Sequence, residues 1–139
     1  METKYKKRLL KLADFLEALP RKRFYFGAWV GADWKGAQDL SCGTKACALG
    51  WAATMPTFRR LGLCLVRAEY SGGYVGLKCT DGILRGSSSA AREVFGLDLS
   101  EFEQLFAPSA LLSPWATPRQ VAKNIRDFVE EKDNDERDA

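Results

Sequence analysis

The four cysteines are the first residues in this sequence whose chemistry suggests a function. Cys42, Cys47, Cys64 and Cys79 are separated by 4, 16 and 14 residues. A zinc site built from cysteine alone usually draws its ligands in pairs from tight knuckles of about two to four intervening residues. Only the first spacing reaches that range, and Cys64 and Cys79 stand singly in runs that read as strands. Buried cysteine is a common small core residue, so the spacing favours a structural role, and neither a metal nor another cofactor is expected. Cys42 has a second option, because amide groups at a helix start stabilise a thiolate. A thiol nucleophile also needs a base to accept and return its proton, and the chain contains no His. The same absence excludes Ser–His–Asp catalysis and His-ligated metals. Asp39 and Lys45 lie near Cys42 in sequence without completing a dyad, and a Cys42–Cys47 disulfide is disfavoured in a reducing cytosol. Cys42-Gly43-Thr44-Lys45 lacks the glycine spacing of a phosphate-binding loop.

Charge offers a different chemistry. Residues 1–23 hold eight Lys/Arg against three acids, and residues 127–139 hold seven acids against Lys132 and Arg137. Lys4, Lys7, Arg8, Lys11, Arg21, Lys22 and Arg23 form a candidate basic face for an acidic protein or a phosphate backbone. Lys6 belongs to the same run. Phe24, Tyr25 and Phe26 follow it, and cations beside aromatics suit a surface that tracks a nucleic-acid strand. The basic head can equally pair with the chain's own acidic end.

Elements must position these groups. The chain of 139 residues, 46% hydrophobic with eight Phe and four Trp, is long enough for one domain with its own core. The expected architecture is α+β: a mainly helical single domain with one β-hairpin, spanning residues 1–132, followed by an acidic, frayed tail over 133–139. Tyr5, Leu9, Leu12, Leu16 and Leu19 recur at helical spacing, with most of the lysines off that stripe. Pro20 stops the helix, because the residue before proline is pushed out of the α region. Phe24, Phe26 and Trp29 read as anchors of an irregular connection, with Trp34 nearer the surface. A small-residue helix capped by Ser41 or Thr44 should place Cys47, Gly50, Trp51 and Thr54 on one face, ending at Met55-Pro56. Leu63–Glu69 and Tyr74–Cys79 around Ser71-Gly72-Gly73 read as the hairpin. Three helices follow: Ser88 to Phe95 closed by Gly96, one opened by a Ser100/Glu103 capping box and running to about Phe106, and one opened by Thr117-Pro118-Arg119-Gln120.

The order of these patterns resembles a known family. Leu12-Ala13-Asp14-Phe15-Leu16 precedes Leu19-Pro20. Then come Cys42-Gly43-Thr44-x-x-Cys47-x-x-Gly50-Trp51-Ala52, Phe95-Gly96-Leu97 and Thr117-Pro118-x-x-Val121-Ala122. Together they resemble a family of small uncharacterised proteins from bacteria and their phages, marked by the Cys-Gly-Thr-x-x-Cys-x-x-Gly-Trp-Ala stretch. The resemblance implies a phage or mobile-element setting and carries no functional residues. Cys42, Gly43, Thr44, Cys47, Gly50 and Trp51 are expected to be structural.

No apolar run approaches about 18 residues and the start of the chain lacks a signal-peptide core, so a cytoplasmic protein without membrane contact is expected. The functional expectation is a non-catalytic interaction protein, phage-associated, that binds and modulates a host protein. Such a partner would be a defence or nucleic-acid-handling complex. Direct nucleic-acid binding through the basic face is the alternative, and a thiol enzyme using Cys42 a third.

Overall fold

The computed structural model describes residues 1–24, 47–67, 73–78, 83–106 and 116–138. The first helix, α1 (Thr3–Ala18), buries Leu9, Leu12, Ala13 and Leu16, the apolar stripe read from the sequence. Tyr5 and Leu19 lie at its margins. Leu19 is extended (φ −76°, ψ 131°) and its amide donates to the Leu16 carbonyl at 3.1 Å, as a residue before proline must be. A single 3-10 turn at Arg21–Arg23 then leads to buried Phe24. The other expected anchors, Phe26 and Trp29, and Trp34, expected nearer the surface, lie outside the described residues, as do Ser41, Cys42, Gly43, Thr44 and Cys79.

The small-residue helix is shorter than expected. It is α2 (Ala48–Ala52), and Cys47 is its N-cap residue, with an extended backbone (φ −78°, ψ −179°). Cys47 therefore precedes the helix and does not share a helical face with Gly50, Trp51 and Thr54. Pro56 does more than end α2: it begins a further turn of helix, α3 (Pro56–Arg59), where its missing N–H costs nothing. Gly62 (φ 103°) reverses the chain into the sheet, and its carbonyl accepts the Lys78 amide at 2.8 Å. A side chain at Gly62 would collide with the Lys78 carbonyl.

The hairpin consists of β1 (Leu63–Arg67) and β2 (Gly73–Lys78), antiparallel with Leu63 opposite Leu77 and Leu65 opposite Val75. These four side chains are buried on one face of the sheet, as the period of two requires. A third strand, β3 (Leu84–Arg85), not expected from the sequence, pairs with Lys78 and Leu77. Two residues carry no periodicity, so only the sheet reveals this strand. The hydroxyl of Ser87 donates to the outward carbonyl of Val75 at 2.6 Å and covers part of the β2 edge.

Three helices complete the domain. In α4 (Ser87–Phe95), Gly96 takes the left-handed conformation (φ 66°, ψ 29°) and ends the helix. The Tyr5 ring lies so close that a Cβ at Gly96 would approach its carbons to 2.5 Å. Glycine is thus required twice there, for the backbone angle and for the contact. In α5 (Leu99–Phe106) the capping box is built by Asp98 and Glu101, not by Ser100 and Glu103. The Glu101 amide donates to Asp98 Oδ1 at 2.8 Å, and the Asp98 amide to Glu101 Oε1 at 3.0 Å. Buried Leu97 anchors the chain, and Asp98 is the next residue free to cap. In α6 (Pro118–Asp138) the expected box does form: Gln120 N–H donates to Thr117 Oγ1 at 3.1 Å, and Thr117 N–H to Gln120 Oε1 at 2.7 Å. The helix continues past the expected boundary at Lys132 to Asp138, where Asp133 and Glu136 meet α1.

The core joins α1, α4, α5 and α6 to the inner face of the sheet. Phe58 meets Phe95 edge-on at 5.2 Å between ring centres, and Phe95 meets Phe106 at 5.7 Å, linking α3, α4 and α5. α1 and α6 run antiparallel: Lys6 lies beside Asp133 and Glu136, while Asp14 and Glu17 lie beside Arg126. No helix among the described residues is long and apolar enough to cross a membrane.

Candidate interaction face on the first helix

The apolar stripe of α1 faces inward, and its cations are distributed over the remaining circumference. At 100° per residue, Lys4, Lys7 and Lys11 fall on the side opposite Leu9, Leu12 and Leu16. All three are exposed. Lys4 lies 3.6 Å from Glu2 and 4.9 Å from the centre of the Tyr5 ring. Lys11 donates to the hydroxyl of Thr57 at 2.8 Å and so brings α3 beside α1. Lys7 has no ion pair or side-chain hydrogen bond among the described residues.

Arg8 behaves differently from its neighbours. It is half-buried, donates from Nη1 to the Val94 carbonyl at 2.9 Å, and lies 5.7 Å from the Tyr5 ring centre. A cation on the last carbonyls of α4 is favoured by the helix dipole. Arg8 is therefore a clamp between α1 and α4, with its charge hydrogen-bonded to a neutral acceptor.

The remaining expected cations do not join this row. Arg23 is half-buried, its guanidinium 5.0 Å from the Trp51 ring, and its carbonyl accepts the Trp51 indole N–H at 2.9 Å. Arg21 lines a cleft of about 450 Å³ with Glu17, Pro20 and Arg119, between the end of α1 and the start of α6. Lys22 is exposed between them. The seven residues thus divide into a row at one end of α1 and a separate group at the other. Sequence reasoning missed Arg59 and Arg60, which are exposed on α3 and have no ion pair among the described residues. Arg60 follows Thr57 by three residues and so shares the side of α3 that Lys11 reaches. The placing of Arg60 on that side depends on the contact of Lys11 with Thr57 between α1 and α3, which no local pattern encodes.

The opposite flank of α1 is neutralised. Lys6 pairs with Asp133 and, at 3.1 Å, with Glu136, and the terminal amine also meets Glu136. Arg126 of α6 pairs with Asp14 at 2.7 Å and Glu17 at 2.9 Å. The hydrogen bond from Lys6 holds the Asp133 carboxyl below its ordinary range.

The motif residues within the described segments are core. Cys47 and Gly50 are buried, and Trp51 packs on Phe15 with ring centres 5.8 Å apart. Burial pushes the Cys47 thiol up to about 11, so it stays protonated at neutral pH. Cys64 is half-buried in β1, its sulfur 3.6 Å from the Gly76 carbonyl. Among the described residues, no three His, Cys, Asp or Glu side chains gather as a metal site would require. Compared with family models, with curated proteins and with solved structures, the chain finds no match in any of the three.

Proposed function

We propose that this is a non-catalytic binding protein that engages an acidic surface of another protein through Lys4, Lys7 and Lys11, with Arg60 extending the face. The observation that carries this reading is the asymmetry of α1. Its α6 flank cancels cations with close carboxylates, whereas on the opposite flank Arg8 and Lys11 rest on neutral acceptors, Lys7 lies in solvent, and Lys4 meets a single exposed carboxylate, Glu2, at 3.6 Å. Unneutralised cations in a row raise the local potential and steer an anionic partner. In the phage setting that the resemblance implies, the partner is a host protein met in the cytoplasm, and its capture would modulate it.

The test is recovery from host lysate by tagged wild type and by Lys4→Glu/Lys7→Glu/Lys11→Glu, with each sample split into nuclease-treated and untreated halves. Arg8 is left intact because its loss would loosen α4. A stoichiometric protein band that survives nuclease and disappears with the triple variant is the expected result. A band retained by the triple variant would overturn the reading. Material lost on nuclease treatment would transfer the face to direct nucleic-acid binding, with affinity falling steeply as salt rises.

A further inference from the structure

The last residue of α6 buried in the core is Val129. From Glu130 through Arg137 every side chain is exposed or half-buried. This segment is tied to the rest of the molecule by charge. Lys132 reaches Glu101 at 2.8 Å, and Asp133 and Glu136, three residues apart on one side of α6, close around Lys6. Residues 130–138 contain six acids against Lys132 and Arg137. Acidic residues at a helix C-terminus oppose the helix dipole, and exposed ion pairs are weak and screened by salt. The end of α6 is thus the part of this helix that opens at least cost.

Its position gives that opening a consequence. Closed, the segment occupies Lys6 and places its carboxylates beside the residue that adjoins Lys7, which lowers the potential of the open row. Open, it returns Lys6 to the basic end of α1 and removes those carboxylates. Resting on the reading that α1 takes an acidic partner, we infer that the acidic end of α6 is an intramolecular competitor for that partner. The docked segment weakens binding, and a partner must carry enough negative charge to outcompete it.

The test compares the full-length wild type with Asp133→Asn/Glu136→Gln. A fluorescein-labelled oligo-glutamate peptide is the binding probe, followed by anisotropy at low and high salt, and amide exchange is measured at fixed pH in parallel. The variant should bind the peptide about two- to ten-fold more tightly at low salt, the size expected from removing two exposed charges. The advantage should vanish near 1 M salt, where the screening length falls to about 3 Å. Amides over residues 131–138 should exchange faster, and those of α4 should not. Equal affinity for the two proteins, with accelerated exchange, would overturn the competitor role and leave the binding face standing. Unchanged exchange would overturn it too, because the carboxylates would then not hold the segment. Binding by neither protein at low salt would remove the face and the competitor together.

Discussion

The two flanks of α1 both carry cations, yet they treat charge in opposite ways. Toward α6, Lys6 is enclosed by Asp133 and Glu136, and Arg126 returns the favour to Asp14 and Glu17. Toward α3 and α4, Lys11 binds a hydroxyl, Arg8 binds a carbonyl, and Lys4 and Arg8 lie near the Tyr5 ring, with exposed Glu2 the one carboxylate paired there, 3.6 Å from Lys4, among the described residues. Neutral acceptors fix the position of a cation and leave most of its field intact. A carboxylate fixes position and cancels the field. One helix therefore serves as a structural seam on one flank and a candidate binding face on the other, although its composition alone does not distinguish them.

The flanks also differ in what holds them. The α4 flank rests on shape, in the seating of Tyr5 on Gly96. Gly96→Ala should have the largest effect, destabilising the protein by about 2–3 kcal/mol in urea melts. The left-handed backbone costs a side chain about 1–2 kcal/mol, and displacing the ring adds the rest. In the Tyr5→Ala background the same change should cost less, and an unchanged cost would assign the whole effect to the backbone.

Arg8 and Lys7, neighbours on one helix, provide the next comparison. Arg8→Met keeps the aliphatic stem and loses the charged hydrogen bond to Val94, for an expected loss of about 1–2 kcal/mol. Lys7→Met should stay within about 0.5 kcal/mol, as substitutions at exposed, unpaired positions do. Equal costs in the same melts would mean that Arg8 is no clamp.

The smallest effect expected is acid sensitivity of the α6 flank. Asp133 is held below its ordinary carboxyl value of 3.8, chiefly by the Lys6 hydrogen bond and then by charge from Lys6, Arg137 and the terminal amine. A carboxyl lowered in the folded state contributes stability above its unfolded value and loses it as pH falls through the lower folded one. Backbone resonances of residues 131–138 should therefore shift as pH drops below about 4. Lys6→Met should move this transition toward the ordinary carboxyl value, because the Lys6 hydrogen bond is the chief cause of the lowering. A transition that does not move would show that Lys6 does not hold this carboxyl.

Much of the fold was legible because its signals act within a few residues. The stripe of Leu9, Leu12 and Leu16, the stop at Pro20, the left-handed Gly96 and the Thr117/Gln120 box depend on helical period, proline sterics and cap chemistry. Errors arose where a local signal had a near equivalent. Ser100/Glu103 satisfies the same spacing as Asp98/Glu101, and burial of Leu97 decides between them. Cys47 fits a helical face on paper, but the helix begins one residue later. β3 is too short to show a period and exists through its pairing with Leu77 and Lys78.

The candidate site was legible in kind but not in arrangement. By itself the sequence determined that the first 23 residues are basic, the last 13 acidic, and that α1 has an apolar face to bury. Tertiary structure alone decided which cations are cancelled. Antiparallel pairing of α1 with α6 brings residues 127 to 130 positions apart in sequence into ion pairs at Lys6. The docking of α3 and α4 draws Arg8 inward and brings Arg60 to the side that Lys11 reaches. Side-chain charge is a property of the residue, whereas its field depends on what the fold places within a screening length of it.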